Sequence, residues 1–250
     1  MELIENYLGA VSEIIQKISA QERVNIQKAA ELMADTIAQD RLIHVFGTGG
    51  HSYMFGEEMF YRAGGLAAVN AILDAGVSLI HGAIRATTIE RTPGYAKSVL
   101  DAYKVGEGDV IIIANAFGMN SVTIDAALES KKRGAKVIAV TSPEMSKAVP
   151  AGHPARHPSN KNLYEIADVT IDMHVPPGDA VLEIEGCDQK VAPVSTIAGA
   201  FIVHSLAAYT VENLVKRGVE PPVWKSGNMP GGDEANRRFF EKYRPRVKHL

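Results

Sequence analysis

The chain has 250 residues and 46% hydrophobic content, enough for one sizeable buried core. Its 26 Lys and Arg against 29 Asp and Glu leave a net charge of −3, which excludes an electrostatic footprint for nucleic acid or an anionic membrane, so the expected partner is a small molecule or another protein. The one cysteine, Cys187, has no internal disulfide partner, and the opening segment carries acids within its apolar pattern where a secretory leader would need a basic flank and an unbroken apolar stretch; a cytoplasmic protein with no membrane span is expected.

Leu3, Ile4, Tyr7, Leu8, Val11, Ile14, Ile15 and Ile18 recur at three and four, which predicts an amphipathic helix over 2–18, and a second helix follows over 22–39. The pattern then changes to short apolar runs at 42–46, 66–73, 109–115, 135–141 and, more weakly, 166–172, each predicted as a buried strand. Helical patterns separate them, and the one at 121–134 ends in Lys131, Lys132, Arg133 and Gly134, cations in a last turn followed by a glycine stop. Strands alternating with helices imply an α/β fold with a parallel sheet and right-handed crossovers. Residues 142–162, rich in Pro, Ser, His and Lys, are predicted as a long ordered loop or lid. A long helix over 194–217 carries Ile197, Ala200, Phe201, His204, Ala208, Val211 and Val215 on one stripe. After Gly218 the density of Pro and Gly predicts an irregular extension that uses Trp224, Phe239, Phe240 and Tyr243 to pack on this subunit or a neighbour. The domain expectation is a helical extension over 1–40, the α/β domain over 41–217 and the C-terminal extension over 218–250.

The first strand runs into Gly47-Thr48-Gly49-Gly50-His51-Ser52 and then a helix, which sets exposed main-chain N–H groups at a helix start, where an anion is stabilised. A dinucleotide fingerprint would need glycine at position 52, so no nucleotide cofactor is expected, although Asp74 stands where a ribose-binding acid would. The third strand supplies a second such loop, Asn115-Ala116-Phe117-Gly118-Met119-Asn120-Ser121, again entering a helix. Two such loops at strand C-terminal ends point to a ligand crevice. The closest histidine pair, His153 and His157, lies in a Pro-rich stretch without helical spacing, and no metal site is expected.

The segments GTGGHS and DVIIIANAFGMNSVTIDAALESKKRGAKVIAVTS resemble the two phosphosugar loops of the SIS (sugar isomerase) domain family over residues 40–142. EEMFYRAGGL, ERTPGYAKSVL, RHPSNKNLYEIADVTID, PPGDA, PVSTIAGA and RGVEPPVWKSGN extend the resemblance to a narrower branch of bacterial SIS-domain proteins of about this length. The resemblance implies a single doubly wound, flavodoxin-like sheet of five parallel strands and a homodimer or homotetramer with sites near the subunit interface. It also implies aldose–ketose isomerisation of an acyclic sugar with a terminal anion. One departure stands out: where SIS phosphosugar proteins carry a Ser-x-Ser-Gly-x-Ser/Thr loop, this chain has Asn115, Phe117 and Asn120. Sulfonate and carboxylate therefore stand beside phosphate as the expected anion, with Gly47, Thr48, Gly49, Ser52, Asn115, Asn120 and Ser121 as its binding residues.

Isomerisation through an enediol needs a base and donors for the developing oxyanion. Glu57, Glu58, Glu90 and His204 are the candidates. The resemblance implies a glutamate after the first loop and a histidine on the late helix, which here are Glu58, with Glu57 beside it, and His204. His51 is a candidate for ring opening, and Arg91 and Lys161 for counter-charges. Asp179 and Asn228 are assigned to turn chemistry. Two alternatives remain open: a non-catalytic sugar-anion-binding regulator, and an etherase-like lyase using the same base chemistry.

Overall fold

Apolar runs bounded by helices produce a five-stranded parallel sheet in the order β2-β1-β3-β4-β5, the flavodoxin-like doubly wound arrangement; the structure is a computed structural model that describes residues 2–250. The strands are β1 (Ile43–Gly47), β2 (Val69–Ala71), β3 (Val110–Ala114), β4 (Lys136–Thr141) and β5 (Val169–Asp172). Every residue of β1 and β3 is buried, because helices cover both faces of a parallel sheet. Side chains alternate between the faces. Along β3, Val110, Ile112 and Ala114 join the core on one side, while Ile111 and Ile113 join the core on the other.

The first side is covered by α1 (Glu2–Gln21), α2 (Arg23–Ala38), α3 (Met54–Met59) and α8 (Ser195–Lys216), and the second by α5 (Tyr95–Ala102) and α6 (Ser121–Lys132). Burying each large side chain in these cores stabilises the fold by about 1.5–3 kcal/mol. α4 (Ala83–Glu90) leads from the end of β2 toward α5, and α7 (Pro143–Lys147) follows β4. Polar groups also lie inside, among them the imidazole of His44, which sits 3.3 Å from Asp109. Burial alone would raise that carboxyl, but His44 and the Gly106 N–H hold it below its usual range.

Several expectations need correction. In the row Ile197, Ala200, Phe201, His204, Ala208, Val211, Val215, the residues Ile197, His204, Ala208 and Val215 are exposed while Phe201 and Val211 pack partly against the core; Ala198, Gly199, Ile202, Val203, Leu206 and Leu214 face inward. α8 is apolar on both sides, so its periodicity fits either face. It is long and apolar enough by length and composition to cross a bilayer, but its inner face is packed against α2. The C-terminal extension is not irregular throughout: after a Pro-rich segment whose Trp224 pairs through its main chain with Gly64 and Gly65, α9 (Gly232–Tyr243) closes over the aromatic group Trp224, Phe239, Phe240 and Tyr61. A two-stranded antiparallel hairpin, β6 (Ala180–Leu182) with β7 (Val191–Pro193), was not foreseen, its strands being only three residues each. The runs at 66–73 and 166–172 contribute only Val69–Ala71 and Val169–Asp172 to the sheet.

Asp179 does not make the local turn bond expected of it; it caps the start of α8, whose first residues lie 15 and 16 positions further along the chain. Its carboxylate accepts from the Val194 and Ser195 N–H groups at 3.0 and 2.8 Å and from the Ser195 hydroxyl at 2.7 Å, placing a negative charge at the start of α8.

Candidate active site

Both small-residue loops sit at the C-terminal ends of adjacent strands, β1 and β3, where a doubly wound sheet opens a crevice. The first is tight. A Cβ on Gly47 would stand 1.7 Å from the Ser52 carbonyl oxygen, and Tyr53 N–H closes the turn on the Gly49 carbonyl at 2.8 Å. In the second, Gly118 takes φ +58 and passes so near Thr141 that a Cβ would lie 2.3 Å from its hydroxyl, so the bend needs glycine.

Glu90, the last residue of α4, brings its carboxylate between the loops. Its Oε1 accepts from Asn115 Nδ2 at 3.2 Å and would stand 2.6 Å from a Cβ on Gly49. Asn115 is held in turn by Gly118 N–H, which donates to Asn115 Oδ1 at 2.9 Å. Burial pushes the Glu90 carboxyl above the usual range, against the Asn115 hydrogen bond and the charge of Arg91, which pull it down. A carboxyl tuned upward in a crevice is a candidate for proton transfer.

The start of α6 completes this cluster. Its first-turn N–H groups receive no side-chain cap from Asn120, and Ser121, 1% exposed, has a hydroxyl with no hydrogen-bond partner among the described residues. Unsatisfied donors at a buried helix start favour an anion there. The segment 153–163 packs over the loop: His157 N–H donates to Met119 O at 2.9 Å and Leu163 N–H to Gly118 O at 2.7 Å. The span 142–162, expected as a long ordered loop or lid, begins with the short helix α7, and its later part covers the second loop.

Glu58 and His204 form a second cluster, joined directly by a 2.7 Å hydrogen bond between His204 Nε2 and Glu58 Oε1. Arg62 pairs with the same carboxylate at 3.0 Å. The pair lies on the outward side of α3 and α8, with His204 44% and Glu58 30% exposed, beside a cleft of 150 Å³ lined by Met54, Glu57, Glu58 and Thr196.

The remaining expectations divide. Thr48 and Asn120, expected to bind substrate, spend their side chains inside the protein: Thr48 Oγ1 bonds Thr123 Oγ1 at 2.7 Å, and Asn120 Nδ2 donates to Ala155 O at 3.0 Å. His51, Arg91 and Lys161 are exposed, and no contact in the structure ties Lys161 to either loop. Ser52 contributes its carbonyl to the loop turn. Sequence reasoning missed Thr123, which locks the first loop to α6, and Asp125, which holds Gly94 N–H at 2.6 Å and pairs with His157 at 3.2 Å. Asp125 lies one turn beyond Ser121, a position that an anion-site reading of this helix had reason to inspect.

A family model for the SIS domain matches residues 6–142. A UPF0309 protein of Caldanaerobacter subterraneus is 39% identical over 251 residues, covering 99% of this chain and 100% of its own length. A UPF0309 protein of Brucella canis is 38% identical over 249 residues, covering 100% and 99%. Among solved structures, phosphoheptose isomerase from Neisseria gonorrhoeae aligns with a TM-score of 0.55 at 18% identity, over 84% of this chain and 98% of that one. Phosphoheptose isomerase from Francisella tularensis gives 0.51 at 15% identity, over 84% and 97%. At these identities the two structures show a common fold.

Proposed function

The chain belongs to the SIS-domain family, and from this premise we propose that it is an aldose–ketose isomerase for an acyclic sugar carrying a terminal anion. One observation carries the reading: a half-buried, upward-tuned carboxyl, Glu90, lies between two small-residue loops, one of which enters α6 with an unpartnered serine hydroxyl. In this reading the Glu90 carboxylate removes the proton from the carbon next to the sugar carbonyl. The electron pair moves to form the enediolate, and the carboxylic acid returns the proton to the neighbouring carbon, so that no cofactor takes part. The substrate anion rests at the start of α6. The Glu58–His204 pair supplies a second proton-transfer group for the sugar oxygens.

We extend the reading to a homo-oligomer in which the exposed side of α8, which carries His204, meets a neighbouring subunit. The exposed Ile197 and Val215 on that side support it.

Hexose and heptose phosphates and their sulfonate counterparts, incubated with the protein in deuterium oxide, test the activity. Deuterium is expected at C1 or C2, and Glu90→Gln should lower the exchange rate by about 10²–10⁴-fold. Ligand binding with no exchange on any sugar would replace the isomerase with a binding protein.

A further inference from the structure

The phosphate usual for such a pocket fits poorly with what surrounds the start of α6. In the loop itself, the side-chain donors are already committed: Asn115 Nδ2 to Glu90, and Asn120 Nδ2 to Ala155 O. One main-chain donor is committed as well, since Gly118 N–H is held by Asn115 Oδ1 at 2.9 Å. In the first loop the Thr48 hydroxyl is taken by Thr123. At the start of α6 this leaves the Ser121 hydroxyl and the first-turn N–H groups, and the first loop adds the N–H groups of Gly49 to Ser52.

The charges point the same way. Glu90 reaches the loop as a carboxylate with the charge of Arg91 acting on it, and Asp125, one turn into α6, is paired with His157 at 3.2 Å. Among the described residues, no lysine or arginine nitrogen hydrogen-bonds or ion-pairs with residues 47–52 or 115–121. A helix start supplies only about half a positive charge, whereas a phosphate monoester brings about −1.5 to −2 at neutral pH. A second negative charge in the same crevice as Glu90 is repelled, and repulsion is stronger in a partly buried site than in water.

Resting on the isomerase reading above, we propose that the head-group pocket at the start of α6 is matched to a singly charged anion, a sulfonate or a carboxylate, and discriminates against phosphate dianion, with Asn115 and Glu90 setting the preference. Asn115 acts twice: it withdraws the Gly118 N–H from the ligand and it draws a carboxylate to the loop in place of a donor.

Calorimetric binding of hexitols that end in sulfonate, carboxylate or phosphate, which cannot isomerise, tests this on the intact chain. At about pH 8, where phosphate is doubly charged, the sulfonate is expected to bind at least about tenfold more tightly than the phosphate. At about pH 5.5 that ratio should shrink, because the phosphate group takes up a proton near pH 6. Glu90→Gln, which removes the charge and keeps the shape, should bring the two within about threefold at about pH 8. Asn115→Ser, which frees Gly118 N–H, should favour the phosphate. The carboxylate arm separates the two sources of a single charge: parity with sulfonate assigns the preference to charge alone, and weaker binding assigns it to a three-oxygen head group. Phosphate binding at least as tight as sulfonate at about pH 8, or a ratio unchanged in Glu90→Gln, overturns the proposal. If hexitols of all three head groups fail to bind and no sugar exchanges deuterium, the isomerase reading itself falls.

Discussion

Glu90 draws its character from neighbours far away in the chain: Asn115 donates to it, Gly49 lets it approach, and the protein around it withdraws it partly from water. Burial raises its pKa and the Asn115 hydrogen bond lowers it, so the two effects set where the base becomes available. The base is the charged form. Activity should therefore fall as pH drops through the raised value, at a higher pH than for a free carboxyl. Asn115→Ala removes a lowering influence and should move this acid limb further up the pH scale, which a kcat/KM profile would read; a limb that stays in place or moves down would mean that another group titrates. The two loops were legible in the sequence, because glycines and small polar residues directly after apolar strands mark strand-to-helix turns. The fates of Thr48 and Asn120 were not. Their partners, Thr123 and Ala155, lie 75 and 35 residues away, and nothing local signals that these side chains turn inward.

At the scale of elements, periodicity placed the sheet strands and the long helices, since a fully buried strand and an amphipathic helix leave different repeats. It failed where the repeat was ambiguous or short. α8 is apolar on both faces, α9 starts behind a stretch of Pro and Gly, and β6 and β7 are too short to show alternation. The junction of α3 and α8 depends on one small residue. A Cβ on Gly199 would lie 2.0 Å from the Phe55 ring, which is itself 2% exposed. Gly199→Ala should cost about 1–3 kcal/mol in urea unfolding, by overpacking. It should also weaken the Glu58–His204 contact, because Phe55 and Glu58 share one helix. Gly9→Ala is the matched control: nothing lies within 4 Å of that Cβ, and replacing a helical glycine should stabilise by about 0.5–1 kcal/mol.

For the whole molecule, exposed large apolar side chains occur on several elements, among them Ile80 and Ile84 around α4 as well as α1 and α8. Leu3, Ile4 and Leu8 of α1 are exposed, as are Ile197 and Val215 of α8, and these two helices pack together. Exposed aliphatic residues on these neighbouring helices support the subunit contact proposed above. In the homo-oligomer proposed above, Ile197→Asp combined with Val215→Asp should reduce the mass measured by sedimentation velocity to that of one chain while leaving the helical circular dichroism signal intact. A parent protein that already sediments as a single chain would refute the assembly.

The tip of the β6–β7 hairpin carries Cys187, which is exposed and is the one cysteine in the sequence. The hairpin is fastened at its base, with Tyr7 of α1 donating to Pro193 O at 2.8 Å and Asp179 gripping the first residues of α8. A maleimide fluorophore or spin label therefore attaches at a single position without mutagenesis. There it reports on the α1–hairpin–α8 junction, and leaves the Glu90 crevice chemically untouched.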